Sequence, residues 1–462
     1  MSVSVRKQDG TGNRTYTGFN ARWRERMMSA SAHKEHDAEV AAERVRLADL
    51  EHFEGPVDVN EFGEVQPVLP FTAKPTPQVG PSSVQLICGD VIDVLRDLPA
   101  GRVSCVVTSP PYFGLRSYGI PPRTWADGTV CVLGDEPTLD LYIQHLVEVF
   151  REVKRVLHPR GSCWMNMGDG YAKGSKAKRG GLTTKDLMMV PARAAIALQE
   201  DGWILRQDII WAKGLSFCPG FSGSVMPEST TDRSTWAHEH LFHLALRPDY
   251  FYDPDGCREP YAETSKRQVQ DGYRGRATKD YDAAGAQNPS DSKRRIIASI
   301  AAGHGRNLRN VWVVPKQNFK GAHFATFPEK LVEPVVKLAT SAIGVCAACA
   351  APIQRRTVRE DVPASVKAAF EASRATTAID TGRTDGHTSR RPNYRRKVLR
   401  EEWEPSCACG AGFVPAMVMD IFSGSGRAGM VSKRLGRSYV GIDINKEYND
   451  MAQHAIDRVE RV

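Results

Sequence analysis

Two stretches of this sequence place reactive or ligand-binding residue types at the ends of apolar runs. Val418-Met419-Asp420-Ile421-Phe422-Ser423-Gly424-Ser425-Gly426 leaves a strand and enters a helix, with glycines where backbone must approach a ligand closely. Farther on, Asp443 closes the apolar run Ser438-Tyr439-Val440-Gly441-Ile442. A carboxylate at the end of that second strand is placed to accept hydrogen bonds from both ribose hydroxyls of a nucleoside. A glycine loop alone reads equally well as a tight turn; the strand before it and Asp443 after it favour binding. The spacing does not distinguish one nucleoside cofactor from another.

Ser109-Pro110-Pro111-Tyr112 makes that distinction. The lone pair of an exocyclic base amine is delocalised into the ring, so the amine is a poor nucleophile towards a sulfonium methyl. Hydrogen-bond acceptors at the amine, here the Ser109 side chain and the Pro110 carbonyl, favour a more tetrahedral nitrogen aimed at the methyl group. The prolines hold the carbonyl direction, since each locks its own φ and restricts the residue before it. Tyr112 is the residue to stack on a base flipped from the duplex. The nucleoside expected at Asp443 is therefore S-adenosylmethionine, and the reaction is direct displacement without a covalent enzyme intermediate. Methylation at cytosine carbon-5 needs a cysteine nucleophile after proline, and no such pair occurs; Cys105 lies in a predicted strand as core packing.

These residues resemble the amino-methyltransferases of DNA, in the circularly permuted group whose catalytic motif precedes the cofactor loop. The similarity covers about Val84 to Arg461 and includes further blocks: Gly89-Asp90, His158-Pro159-Arg160-Gly161-Ser162, Trp211-Ala212-Lys213, and His323 to Leu331. The resemblance implies that Asp90 lies near the cofactor adenine and that His323 and Phe327 lie against its methionine end. With these go Asp420, Phe422, Gly424, Gly426 and Asp443 as cofactor-binding residues, and Ser109, Pro110, Pro111 and Tyr112 as catalytic ones. It further implies an α/β, Rossmann-like class I S-adenosylmethionine-dependent methyltransferase fold with a mostly parallel seven-stranded sheet. Ser109 favours cytosine-N4 as the target, because Asp or Asn is typical of adenine-N6 enzymes. Two departures weaken cofactor carboxylate binding relative to ribose binding: Ile421 where the family usually has proline, and Arg427-Ala428 where it has small hydroxylic residues. Adenine-N6 methylation, a catalytically idle DNA-binding protein of the same fold, and methylation of RNA or protein are the alternatives.

Cys346-x-x-Cys349 and Cys407-x-Cys409 form a paired-knuckle pattern in which four thiolates can meet around a structural zinc, with four free thiols as the alternative. His323, Cys88 and Cys163 are read as non-metal residues.

The elements that must position these motifs follow the alternation of a parallel sheet. Strands are expected at Val84–Ile87, Val103–Val107, Ser162–Met167, Ile204–Trp211 and Glu239–Leu246. Helices are expected at Val91–Leu98, Leu139–Leu157, Leu187–Ala197 and from Pro328 to about Thr340. Residues 1–80 read as an N-terminal extension, helical over Ala32–Leu50, ending in a proline-rich linker. Residues 83–254 form the catalytic half, 255–310 a target-recognition segment, 311–343 a cofactor-facing helix, 344–410 the zinc-knuckle insert and 411–462 the cofactor-binding half. With 462 residues, 41% hydrophobic and 25% charged, the chain is a globular protein and not a largely disordered one. A net charge of +8 permits a polyanionic partner, double-stranded DNA in this reading. Lys266, Arg267, Arg274, Arg276, Lys293-Arg294-Arg295 and Arg309 are the cations expected to read it, and Arg355 to Arg400 competes for the role. No apolar run reaches membrane-spanning length, so the expected location is the cytoplasm without membrane contact.

Overall fold

Strand and helix alternate as the hydrophobic periods require, and the strands join one sheet whose carboxyl ends carry the motifs. The computed structural model describes residues 57–59, 65–67, 81–114, 120–174, 181–218, 223–225, 227–270, 305–317, 327–359 and 398–460. The chain divides into two units, Met1–Ala73 and Lys74–Val462. In the first, Val57–Val59 pairs antiparallel with Val65–Pro67; the helix expected over Ala32–Leu50 lies outside the described residues.

The second unit runs β1 (Val84–Cys88), α1 (Val91–Asp97), β2 (Val103–Thr108), α2 (Leu139–Val156), β3 (Leu157–Met167), α3 (Val190–Glu200), β4 (Ile204–Ala212) and β5 (His238–Ala245). It continues with β6 (Val311–Val313), α4 (Glu329–Ala339), β7 (Met417–Asp420), α5 (Arg427–Arg434), β8 (Ser438–Asp443) and α6 (Lys446–Asp457). The sheet has eight strands in the order β6-β4-β5-β3-β2-β7-β8-β1. That is one more than the seven expected, because the three-residue β6 adds to the edge beside β4. Only β5 runs against its neighbours, β3 and β4; the other pairings are parallel.

Alternate residues of the central strands feed two cores, one on each face, as the strand period of two requires. Val106, Cys163, Met165, Met419, Val440 and Ile442 pack with α1, α2 and α3. Cys105, Val107, Trp164, Val418 and Tyr439 pack with α4, α5 and α6. Cys105 is fully buried and its thiol is pushed far up by desolvation, which suits core packing. Helix α2 buries Tyr142, Leu146, Val149, Phe150 and Val153 at helical spacing, and Thr138 caps it by accepting from the Leu141 N–H.

The candidate active site at the carboxyl end of the sheet

Strands β2 and β7 are parallel neighbours, pairing Cys105 with Val418 and Val106 with Met419. The segments that follow them must therefore emerge side by side at one edge of the sheet, where open α/β sheets place their ligands. Ser109, Pro110, Pro111 and Tyr112 line one cavity together with Asp420, Phe422, Gly424 and Asp443, and Asp90 and Phe327 also reach it. Gly426 sits just behind, in the left-handed conformation (φ 73°) before α5. His323 lies outside the described residues.

On the β7 side, Asp443 is anchored by backbone. Its Oδ2 accepts the Gly424 N–H at 2.8 Å and its Oδ1 the Asn445 N–H at 2.9 Å. Burial raises its pKa against the pull of those two donors. Gly424 has φ 47°, and a Cβ there would meet nothing closer than the Phe422 carbonyl at 4.0 Å, so the loop leaves open space at its tip. Asp420 is 1% exposed and accepts the Phe422 N–H at 3.1 Å; burial, with the nearby Asp443 charge, pushes its carboxyl up to about 7. Asp90, which reaches the cavity, is also tied into the fold. Its Oδ1 caps α1 through the Ile92 N–H at 3.0 Å and forms an ion pair with Arg123. Arg123 also lies over the Trp125 ring, and Trp125 stacks on His145 at 4.1 Å, so Arg123 and Trp125 form a cavity wall that the motifs did not announce.

On the β2 side the Ser109–Tyr112 turn sits on a buried polar network. Tyr142 donates to the Pro111 carbonyl at 2.9 Å. Ser109 Oγ donates to Tyr112 Oη at 3.2 Å, and Tyr112 donates to Glu239 Oε2 at 2.9 Å. Asn166 Nδ2 donates to the same Oε2 at 2.7 Å and to Tyr112 Oη at 3.1 Å. Lys213 holds the other oxygen of Glu239 in an ion pair. Desolvation first, then the Glu239 charge, drives the Tyr112 phenol well above its ordinary value, so it keeps its proton. Asn166 and Glu239 were not among the expected site residues, and Lys213 stood only inside a matching block. The signal of Asn166 and Glu239 was a polar group inside a largely apolar strand, which burial tolerates only with partners; Lys213 directly follows β4.

The four cysteines Cys346, Cys349, Cys407 and Cys409 converge, with sulfurs within 4.8 Å of one another. Val345–Cys346 pairs antiparallel with Phe413–Val414, and Ala350 turns in the left-handed region to donate to the Cys346 carbonyl at 2.8 Å. Arg102 ties this turn to the sheet through the Ala348 carbonyl, at 2.6 Å. A second group, Cys131, Glu136 and His145, is also close-set. There both imidazole nitrogens already have protein partners, Glu136 at 3.2 Å and Asp127 at 3.4 Å, so the cluster holds together without an ion.

The expected DNA-reading cations are divided. Lys266 pairs with Glu263 at 2.7 Å, and Arg306 and Arg309 converge on Glu259 at 2.9 and 3.1 Å. Arg274, Arg276, Lys293-Arg294-Arg295 and most of the 355–400 stretch lie outside the described residues.

A family model described as DNA methylase, for N6 and N4 methyltransferases, matches residues 103–346 and 415–454. The type II methyltransferase M.XycI of Xanthomonas campestris pv. cyanopsidis is 38% identical over 271 residues, 54% of this chain and 71% of that one. M.Cfr9I of Citrobacter freundii is 32% identical over 382 residues, 79% of this chain and 84% of the relative. M.SmaI of Serratia marcescens is 28% identical over 394 residues, covering 81% and 91%. The chain belongs to the DNA methylase family. In this DNA methylase of the N4/N6 group, the two matched segments are those that meet at the cavity. The family match breaks off after Cys346 and resumes at 415, so Cys349, Cys407 and Cys409 fall in a stretch outside it.

Proposed function

We propose that this methylase transfers a methyl group from S-adenosylmethionine to the exocyclic N4 amine of a cytosine flipped out of double-stranded DNA. One observation carries the reading: the Ser109–Tyr112 turn and the Phe422–Gly424 loop with Asp443 line a single cavity, although they are far apart in the chain. The residues present fit the cofactor. The Asp443 carboxylate has lone pairs left for ribose hydroxyls beyond its two backbone donors, and the tip of the glycine loop leaves room that a side chain would fill. When bound, S-adenosylmethionine supplies an electrophilic methyl on a sulfonium. The protein's part is to orient the nucleophile: Ser109 Oγ and the Pro110 carbonyl accept from the amine, and the Tyr112 ring supports the flipped base. Ser109 is what favours cytosine over adenine-N6.

The four thiolates are the ligands for a structural zinc, a reading supported by the convergence of their sulfurs on a knuckle tied to the sheet through Arg102.

The test is nucleoside analysis by mass spectrometry of duplex DNA incubated with the protein and labelled S-adenosylmethionine. N4-methylcytosine is expected; N6-methyladenine alone would overturn the choice of base, and no labelled nucleoside would overturn the activity. Ser109→Ala is expected to abolish transfer while retaining affinity for S-adenosylhomocysteine.

A further inference from the structure

We infer that Glu239, held by Lys213, sets the direction of hydrogen bonding beneath the catalytic turn, so that the Ser109 hydroxyl presents an acceptor towards the reacting amine. The inference rests on the reading of Ser109 given above and concerns how that hydroxyl comes to accept.

A serine hydroxyl can donate or accept, and only acceptance draws the amine lone pair towards the methyl group. Something must therefore spend the hydroxyl proton elsewhere. A carboxylate in an ion pair can only accept, and Lys213 pairs with Glu239 at a position where the Glu239 side chain is 11% exposed. Tyr112 has one proton, and it goes to Glu239 Oε2 at 2.9 Å. Tyr112 Oη can then only accept, which it does from Ser109 Oγ at 3.2 Å and Asn166 Nδ2 at 3.1 Å. The single Ser109 proton is thus committed inward; one lone pair meets Asn166 Nδ2 at 3.5 Å, and the other is left for the cavity.

Two further features hold this polarity. Asn166 keeps its amide nitrogen against Glu239 at 2.7 Å even though its Oδ1 is buried with no partner, the orientation a carboxylate enforces. Gly168 leaves room for the contact, because a Cβ there would stand 2.9 Å from the Tyr112 ring and 3.3 Å from the Glu239 side chain. Glu239 is not among the residues that line the cavity, and its action on the amine runs through Tyr112 and Ser109, so it is a positioning residue. A buried ion pair that merely stiffened the turn would hold the backbone without dictating which way each hydroxyl points.

The experiment measures single-turnover methyl transfer by the full chain on duplex DNA, alongside calorimetric binding of S-adenosylhomocysteine. In Glu239→Gln the carboxamide can donate to Tyr112 and reverse the chain, so the transfer rate should fall on the order of 100-fold while KM and S-adenosylhomocysteine affinity stay within about twofold. Tyr112→Phe should lose a similar factor. The double variant should be no slower than the worse single one, because both break the same chain. Glu239→Asp, which keeps an acceptor-only group, should recover part of the rate. Wild-type rates in Glu239→Gln or Tyr112→Phe, additive losses, or a defect confined to KM would overturn the inference. If Glu239→Gln does not fold, Tyr112→Phe decides alone, an unchanged rate overturning it. An active Ser109→Ala enzyme would instead overturn the underlying reading of the site, so the two failures are distinguishable.

Discussion

Asp420 should make the protein less stable as the pH rises from about 4 to about 7, opposite to the behaviour of a salt-bridged carboxylate. Its side chain is 1% exposed, and its pKa stands at about 7 because burial, then the Asp443 charge, disfavours the anion. In the unfolded chain an aspartate titrates near about 3.9. Below that both states carry the proton and the group contributes nothing. Between the two values the unfolded chain releases its proton and the folded protein keeps it, so each pH unit costs about 1.4 kcal/mol of stability. Above pH 7 both states ionise and the loss levels off at about 4 kcal/mol, an upper bound. Asp420→Asn retains an oxygen for the Phe422 N–H and removes the titration. Burying the extra amide hydrogens costs a roughly constant amount, so the diagnostic is the difference between the two proteins as a function of pH. Urea denaturation followed by tryptophan fluorescence at pH 5, 6, 7 and 8 should give a variant whose advantage grows by about 2 to 3 kcal/mol across the series. Two parallel stability curves would refute the assignment of the titration to Asp420.

Asp443→Ala removes the proposed ribose acceptor and the partner of two backbone N–H groups, and should weaken S-adenosylhomocysteine binding about 100-fold by calorimetry; unchanged affinity would remove Asp443 from the pocket. Gly426→Ala places a Cβ 2.7 Å from the Ala452 Cβ at φ 73° and should cost about 1 to 3 kcal/mol in chemical denaturation, whereas equal stability would mean that the loop and α6 relax freely. Purified protein should carry about one zinc per chain by elemental analysis, and Cys349→Ser or prolonged treatment with a strong chelator should remove it and lower the melting temperature. A metal-free wild type with unchanged melting would end the structural role.

Elements whose pattern is local were legible in the sequence; those set by a single backbone conformation were not. β2 and β8 stand where their apolar runs ended, and α2 begins and ends within a residue of its periodic stretch. Helix α3, expected from Leu187, begins at Val190. Leu187 instead bridges Tyr171, and Met189 turns left-handed (φ 56°) just before Pro191 fixes the first turn. A left-handed methionine has no compositional signature. β3 likewise starts at Leu157, directly after α2, because Leu157 already pairs with Val103 of β2; the His158-Pro159-Arg160-Gly161 block lies in the register shift before Ser162 pairs with Cys105.

The same division explains the site. Ser109 to Tyr112 and Asp420 to Gly426 are each contiguous, so each could be singled out in the sequence as one segment, and the fold brings the two to one cavity. Glu239, Asn166 and Lys213 meet only because β3, β4 and β5 lie side by side, and no spacing along the chain reports that. Arg427 illustrates the interplay. As a departure from the family pattern it counted against the cofactor loop. In the fold it is 8% exposed and paired at 2.8 Å with Glu329, from the Phe327-Pro328-Glu329 block, and Arg434 engages the same carboxylate. Two guanidinium groups, at the first and last residues of α5, share one carboxylate, so the block carrying Phe327 is clamped to that helix. A substitution that breaks a local pattern is thus accommodated by a residue nearly a hundred positions earlier, through a contact that only the three-dimensional arrangement creates.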